Sequence, residues 1–263
     1  MRAACGPAGL GGDQVEGHHA VHELLATGRR RVRALWVAQS LAGQEPLAEI
    51  VSLAHRQQVP VQLKSPEALA SAARTSSPQG VVAWAQPVEA VPLANLLEPA
   101  APGPPPFLLV LDGVTDPGNF GSLLRTAACA GATGVVIARH RSAPLTPAAL
   151  KSAAGAVEKV PIALASGIPA AMQQLASAGV WTVGLDPAGP ANLWQTALLD
   201  APVALVFGSE GTGLSRLVRQ RCDVLARIPQ SGALESLNVA AAGAVACFEV
   251  ARQRAAAGGR TGT

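Results

Sequence analysis

Short apolar runs alternate with segments of helical spacing along this chain, and the alternation strengthens beyond about residue 100. In the first part, residues 17–26 place Val21, Leu24 and Leu25 on one helical face. Residues 46–57 do the same with Leu47, Ile50, Val51 and Ala54. A third helix is expected over 66–73, with Ser65 as its cap and Pro66 at the first helical position. Strands are expected over 32–37, 59–63 and 80–85, so this part reads as a small α/β domain. In the second part, runs at 108–111, 135–138, 160–163, 181–184, 203–207 and 224–227 are nearly all apolar and are mostly separated by helical stretches. That pattern predicts a parallel sheet covered on both faces. Residues 237–256 read as an Ala-rich helix. Its small residues Ala240, Gly243, Ala244 and Ala246 permit close approach of another helix, within the monomer or across a dimer face.

Residues 95–106, Asn-Leu-Leu-Glu-Pro-Ala-Ala-Pro-Gly-Pro-Pro-Pro, lack amide donors at each proline and are expected to form an extended, semi-rigid linker and no helix. The layout is then a patternless, Gly-rich tail over 1–14, an N-terminal domain over 15–90, a linker over 91–106 and a second domain over 107–258. A length of 263 residues suits about two domains, and 49% apolar with 14% charged residues describes a globular protein. No apolar run reaches the roughly 18 residues of a membrane span, and the first residues hold no apolar core of a secretory signal. Cys5, Cys129, Cys222 and Cys247 form no Cys-x-x-Cys pair and no metal-ligand spacing with His, as expected of free thiols in a reducing cytoplasm without a metal site. A net charge of +3 permits RNA binding without arguing for it. Arg29, Arg30 and Arg31, with Arg33, form one basic knot that fits a solvated helix end or a phosphate contact, and the two readings are compatible.

Three segments stand where apolar runs give way to Gly-rich or polar turns, which is where parallel strands deliver ligand-binding loops. Asp116-Pro117-Gly118-Asn119-Phe120-Gly121 leads on to Arg125-Thr126-Ala127. Asp116-Pro117 sets a turn and Asn119 is placed to cap a helix, with Arg125 nearly two turns along it. Phe207-Gly208-Ser209-Glu210-Gly211 is a glycine loop that lets backbone approach a flat ligand and holds one carboxylate, Glu210. Its glycine order is wrong for a dinucleotide fingerprint, position 228 is Ile where an acid is needed, and no Gly-Lys-Ser/Thr follows. A nucleotide-dependent oxidoreductase is thereby excluded. Ile228-Pro229-Gln230 with Ser236-Leu237-Asn238 offers an apolar slot followed by polar groups at a helix start, where Ser236 also reads as a plain N-cap.

In this order the three segments resemble the motifs of the SpoU/TrmH branch of the SPOUT RNA methyltransferases, over about residues 107–254. The resemblance implies a trefoil knot, bound S-adenosyl-L-methionine and ribose 2′-O-methylation of structured RNA, 23S-type rRNA first. A tRNA substrate is the runner-up, and a non-catalytic RNA-binding or ribosome-assembly protein of the same fold is the alternative outside catalysis. It also implies catalytic roles for Arg125, Asn119, Glu210, Ser236 and Asn238. Cofactor contacts would come from Gly208, Ile228, Pro229 and Leu237, and a homodimer would form through the C-terminal domain; an RNA contact at Arg29, Arg30 and Arg31 rests on their charge cluster alone. Glu16-Gly17, Ala20-Val21 and Gln79-Gly80-Val81 resemble the family's N-terminal RNA-binding domain. Two positions depart from the family pattern: Pro78 stands where His is usual, and Gln230 where Met is common.

Overall fold

A computed structural model describes residues 9–98, 103–140, 142–232 and 236–260, with residues 258–260 described by backbone alone. Cys5, the first eight tail residues and linker residues 99–102 lie outside the described residues.

The N-terminal sheet contains β1 (Gln14–Glu16), β2 (Val32–Ala38), β3 (Val61–Lys64) and β4 (Val81–Ala85), in the order β1-β4-β2-β3. β4 runs antiparallel to both neighbours, and β2 and β3 are parallel. Period-2 alternation sends Leu35, Val37, Val81 and Ala83 to one face. There they are buried with Val21, Leu24 and Leu25 of α1 (His18–Thr27) and Ile50 of α2 (Leu47–Arg56). The other face receives α3 (Pro66–Ala72), whose Leu69 packs on Ala38 and Val82. Ser65 caps α3 through the amide of Ala68, with Pro66 in the first turn as expected.

Two expectations for this half are corrected. Residues 9–14 are not a free tail: Leu10 N donates to Val88 O, Val88 N to Gly11 O and Ala85 N to Asp13 O, and Gln14 opens β1. Two positive-φ glycines, Gly11 and Gly12, take the strand through this passage, which hydrophobic patterning cannot register. Residues 95–97 are helical, within α4 (Leu93–Leu97), because the prolines begin only at 99 and Pro92 sits at the helix start where it is tolerated. Leu96 of α4 is buried against the second sheet.

That sheet is wholly parallel. Its strands are β5 (Phe107–Asp112), β6 (Gly134–Ala138), β7 (Ile162–Ala165), β8 (Trp181–Leu185), β9 (Ala191–Asn192), β10 (Val203–Gly208) and β11 (Val224–Arg227), in the order β7-β6-β5-β10-β8-β11-β9. Leu109, Leu111, Leu205 and Phe207 face α5 (Pro117–Cys129), α6 (Pro147–Ala153) and α9 (Val239–Arg260). Leu108, Val110, Ala204 and Val206 face α7 (Ile168–Ser177) and α8 (Arg216–Arg221). With helices on both faces the strands can be apolar at every position.

The core on the α5–α6–α9 side continues without a break into the core of the N-terminal half. Arg30 sits at this junction. It is buried and corrects its assignment as an RNA contact. Its Nε donates to Glu158 Oε2 at 3.0 Å, Nη2 donates to Glu158 Oε1, and Nη1 reaches the carbonyls of Gly12 and Gln86, each at 2.7 Å. Arg29 and Arg31 are exposed; they follow the left-handed Gly28 that ends α1 and so lie past the helix, not in its last turn. At the C-terminal end Arg254 holds the chain entering β5, donating to the carbonyls of Pro105 (2.7 Å), Pro106 (2.9 Å) and Ala201 (2.9 Å).

Candidate active site

β5, β10, β8 and β11 are successive neighbours in a parallel sheet, so their C-terminal ends open onto one edge. A cavity of about 600 Å³ lies there, within the usual range for small-molecule sites. Its walls come from the end of β8 (Leu185, Asp186), the whole turn 208–214 after β10, Ile228 and Gln230 after β11, and Ser236, Leu237 and Asn238 before α9.

The turn after β10 closes on itself. Ser209 N donates to Gly213 O at 3.1 Å and Gly213 N returns to Ser209 O at 2.9 Å. This return brings Gly213 so close to Gly208 that a Cβ on Gly208 would stand 2.1 Å from the Gly213 carbonyl carbon. The need for glycine at 208 is thus set by the loop's own backbone; the expectation that a ligand requires it is revised to that extent. Gly211 and Gly213 have φ of +83° and +66°, and nothing lies within 4 Å of a Cβ built on either, so loop backbone is accessible here. Glu210 is exposed on the cavity wall.

The first segment reaches this rim through α5. Its cap is Asp116, whose Oδ1 accepts from Asn119 N at 2.7 Å, with Pro117 in the first turn. Asn119 therefore stands in the first turn and is not the cap, because the Asp-Pro pair three residues earlier satisfies the free amides first. Freed from capping, its Oδ1 accepts a hydrogen bond from Asn238 Nδ2 at 3.1 Å. Asn238 in turn is the start of α9: its Oδ1 accepts from Ala240 N (2.8 Å) and Ala241 N (3.3 Å), the role that Ser236 was expected to fill. Ser236 is left exposed on the cavity wall. Behind this pair, α5 and α9 pack closely: a Cβ on Gly243 would fall 2.2 Å from Leu123 Cδ2. Gly243 and Ala246 are accordingly buried inside the monomer, and neither lies on an outer face.

Arg125 is exposed, lies off the cavity wall, and has no hydrogen-bond or ion-pair partner among the described residues. Pro229 is exposed and also off the wall, between Ile228 and Gln230, which are on it. The sites thus divide. Gly208, Glu210, Ile228, Ser236, Leu237 and Asn238 share one cavity, Asn119 touches its rim, Arg125 and Pro229 stand outside it, and Arg29, Arg30 and Arg31 belong to the other half.

Sequence reasoning missed Asp186 and Arg219, both on the cavity wall. Asp186 Oδ2 pairs with Arg219 Nη1 at 3.1 Å, and its Oδ1 accepts from Ala188 N at 2.8 Å. The signal was present: Asp186-Pro187 follows an apolar run and precedes a Gly-Pro turn, the same context as the three segments used above. Behind the β8 side of the wall, Cys222 has its thiol pushed up to about 12, by burial first and then by the neighbouring carboxylates of Asp223, Asp112 and Asp186. It is held as a neutral thiol.

Residues 106–248 match the SpoU rRNA Methylase family, and residues 14–91 match the domain described as RNA 2′-O ribose methyltransferase substrate binding. The chain is 37% identical over 249 residues to a protein of Pseudomonas putida named 23S rRNA (guanosine-2′-O-)-methyltransferase RlmB, covering 92% of this chain and 97% of that one. It is 38% identical over 242 residues to the Shewanella oneidensis protein of the same name, covering 92% and 98%. Among solved structures, the AdoMet-bound rRNA methyltransferase of Sinorhizobium meliloti superposes with a TM-score of 0.74 at 27% identity, covering 91% of this chain and 86% of that one. AviRb of Streptomyces viridochromogenes shares the fold, with a TM-score of 0.76 at 24% identity over 92% and 90%. With both halves matched and relatives aligned over nearly their full length, this chain belongs to the SpoU rRNA methylase family.

Proposed function

We propose that this protein methylates a ribose 2′-hydroxyl of rRNA with S-adenosyl-L-methionine as donor, and that 23S rRNA, named for its relatives, is the substrate. The observation that carries the reading is the Asn119–Asn238 hydrogen bond, which joins the first and third segments at the rim of a glycine-loop cavity. The cavity fits the cofactor: accessible backbone at 211–213, apolar Ile228 and Leu237, and polar Ser236 and Gln230 surround about 600 Å³. Gly208 shapes the loop and Pro229 fixes the backbone between Ile228 and Gln230. When bound, the cofactor supplies a methyl group made electrophilic by its sulfonium.

The chain's own residues handle the acceptor. Asn119, its Oδ1 held by Asn238, presents its side-chain Nδ2 at the rim to donate a hydrogen bond to a ribose oxygen. Glu210, exposed on the cavity wall, is the carboxylate that accepts the hydroxyl proton. Arg125 brings a guanidinium fork that stabilises the developing alkoxide or the adjoining phosphate. Its position off the cavity and without an internal partner suits a group that engages only when RNA arrives. Arg29 and Arg31 supply phosphate contacts from the N-terminal half; residues 15–90 form the RNA-binding unit, 91–106 the linker and 107–258 the methyltransferase unit. The family's knot is in keeping with β10 lying between β5 and β8, and β11 between β8 and β9.

A homodimer forms through α9, whose Phe248 is 52% exposed on the face turned away from Gly243 and Ala246. No helix among the described residues is long and apolar enough to cross a membrane, and the protein works in the cytoplasm, where its substrate is. Calorimetric titration with S-adenosylhomocysteine tests the reading: one site per chain, weakened by altering Ile228 or Leu237, supports it. No binding at all makes the protein a scaffold.

A further inference from the structure

The chain is poor in aromatic residues, with four tryptophans, four phenylalanines and no tyrosine, yet two of the tryptophans meet on the N-terminal sheet. Between β2 and β4, Val32 pairs with Ala85 and Ala34 with Trp84, so two residues of β2 stand opposite one step of β4. This bulge falls at Arg33, whose side chain is exposed. Beyond it, Leu35 and Val37 point into the core, and Ala34 and Trp36 point to the face bearing Trp84, Gln62 and Lys64. The rings of Trp36 and Trp84 lie 4.9 Å apart, edge to face at 66°. Lys64 Nζ sits 4.4 Å from the centre of the Trp36 ring. α3 covers the Ala38 and Val82 end of this face through Leu69, Trp84 packs against the edge of that cluster, and both tryptophans remain half-buried.

Small Ala34 beside Trp84 keeps the ring's flank open. Neither Arg33 nor Lys64 has a carboxylate partner among the described residues, so Lys64 brings uncompensated positive charge onto the aromatic pair, and Arg33 precedes Ala34, the residue opposite Trp84. Aromatic faces beside cations fit an unpaired nucleotide, whose base stacks and whose phosphate meets the charge. An apolar core function alone would leave the cations unexplained.

We propose that Trp36 and Trp84, flanked by Lys64 and the bulged Arg33, form a stacking platform for an unpaired base of the RNA substrate. This rests on the reading of the protein as an RNA-modifying enzyme, and its test is separable from it. In a full-length variant carrying Trp181→Phe and Trp194→Phe, emission comes only from Trp36 and Trp84. The probe is a short, unstructured single-stranded RNA, compared with a duplex of the same sequence.

The expected result is saturable quenching by the single strand and little by the duplex. Trp36→Leu weakens single-strand affinity about ten-fold, the scale of one lost base stack, and Trp36→Phe restores most of it. Lys64→Ala flattens the slope of log affinity against log salt by about one. S-adenosylhomocysteine affinity stays unchanged in all of them. If Trp36→Leu does not fold, the quenching comparison and Lys64→Ala still decide. Emission unchanged at saturating RNA, equal quenching by duplex, or affinity within two-fold in a folded Trp36→Leu overturns the platform. Methyl transfer can persist in each of those cases, whereas quenching without any transfer would remove the enzymatic reading and leave the platform.

Discussion

Asn238 has two roles that one substitution can separate. Its Oδ1 caps α9 and its Nδ2 holds Asn119. Asp keeps the cap and suits the positive helix end, but cannot donate to Asn119. Asn238→Asp should therefore leave the thermal midpoint within a degree or two and cut methyl transfer at least ten-fold, about 1.4 kcal/mol of transition-state stabilisation. Asn238→Ala should lose both, with about 1 kcal/mol of stability gone. A parallel loss of stability in both variants would reduce the contact to capping. Arg125→Ala should abolish transfer with S-adenosylhomocysteine affinity within two-fold, because the guanidinium lies off the cavity wall. Retention of more than about a tenth of the rate would remove it from the chemistry. Cys222 and Cys247 both have thiols raised to about 12 by burial, whereas Cys129 is exposed. At pH 8 a Cys5→Ser variant should alkylate rapidly at Cys129 alone. The folded state holds these two protons more tightly than the unfolded chain, so their contribution to stability is full below about pH 8.5 and lost as pH rises toward 12.

At the scale of elements, the site depends on how closely α5 approaches its neighbours. A Cβ on Gly121 would stand 2.3 Å from Ala149 O and 2.6 Å from Ser152 Cβ, atoms of a packed helix that cannot swing aside. Gly121→Ala should cost about 1–3 kcal/mol as overpacking. It should also slow transfer beyond that loss of folded protein, since it pushes the Asn119 end of α5 off the rim; denaturation and single-turnover rates measured together check both. The strands and helices that build this arrangement were legible because each apolar run has a buried partner on its own face. β9 is two residues long and β1 three, too short for periodicity, and each was missed. The cap of α5 was misread by three residues because Asp116-Pro117 and Asn119 carry the same propensity, and only the fold shows which satisfies the amides. The glycine loop was found, but not that Gly208 is constrained by Gly213, a contact between residues that meet only once the loop closes.

For the whole molecule, the Arg30–Glu158 pair ties the two halves together through one continuous core. The basic run 29–31 offered no sign that its middle member turns inward, because the partner is 128 residues away. Breaking a buried pair leaves a charge without compensation, so Glu158→Ala should cost about 3–5 kcal/mol and loosen the junction. Unfolding followed by a probe in each half should then lose its coincidence. Light scattering should show a dimer that Phe248→Glu converts to monomer. Ribose methylation of rRNA from the cavity at the strand ends can be measured on unmodified 23S rRNA with methyl-labelled cofactor. The modified nucleotide is located by its resistance to alkaline cleavage, which a 2′-O-methyl group confers and a base methyl does not. One resistant position is expected, formed by the wild type and absent with Arg125→Ala. Label that stays alkali-sensitive, or a wild type that binds S-adenosylhomocysteine yet labels no rRNA, would contradict it.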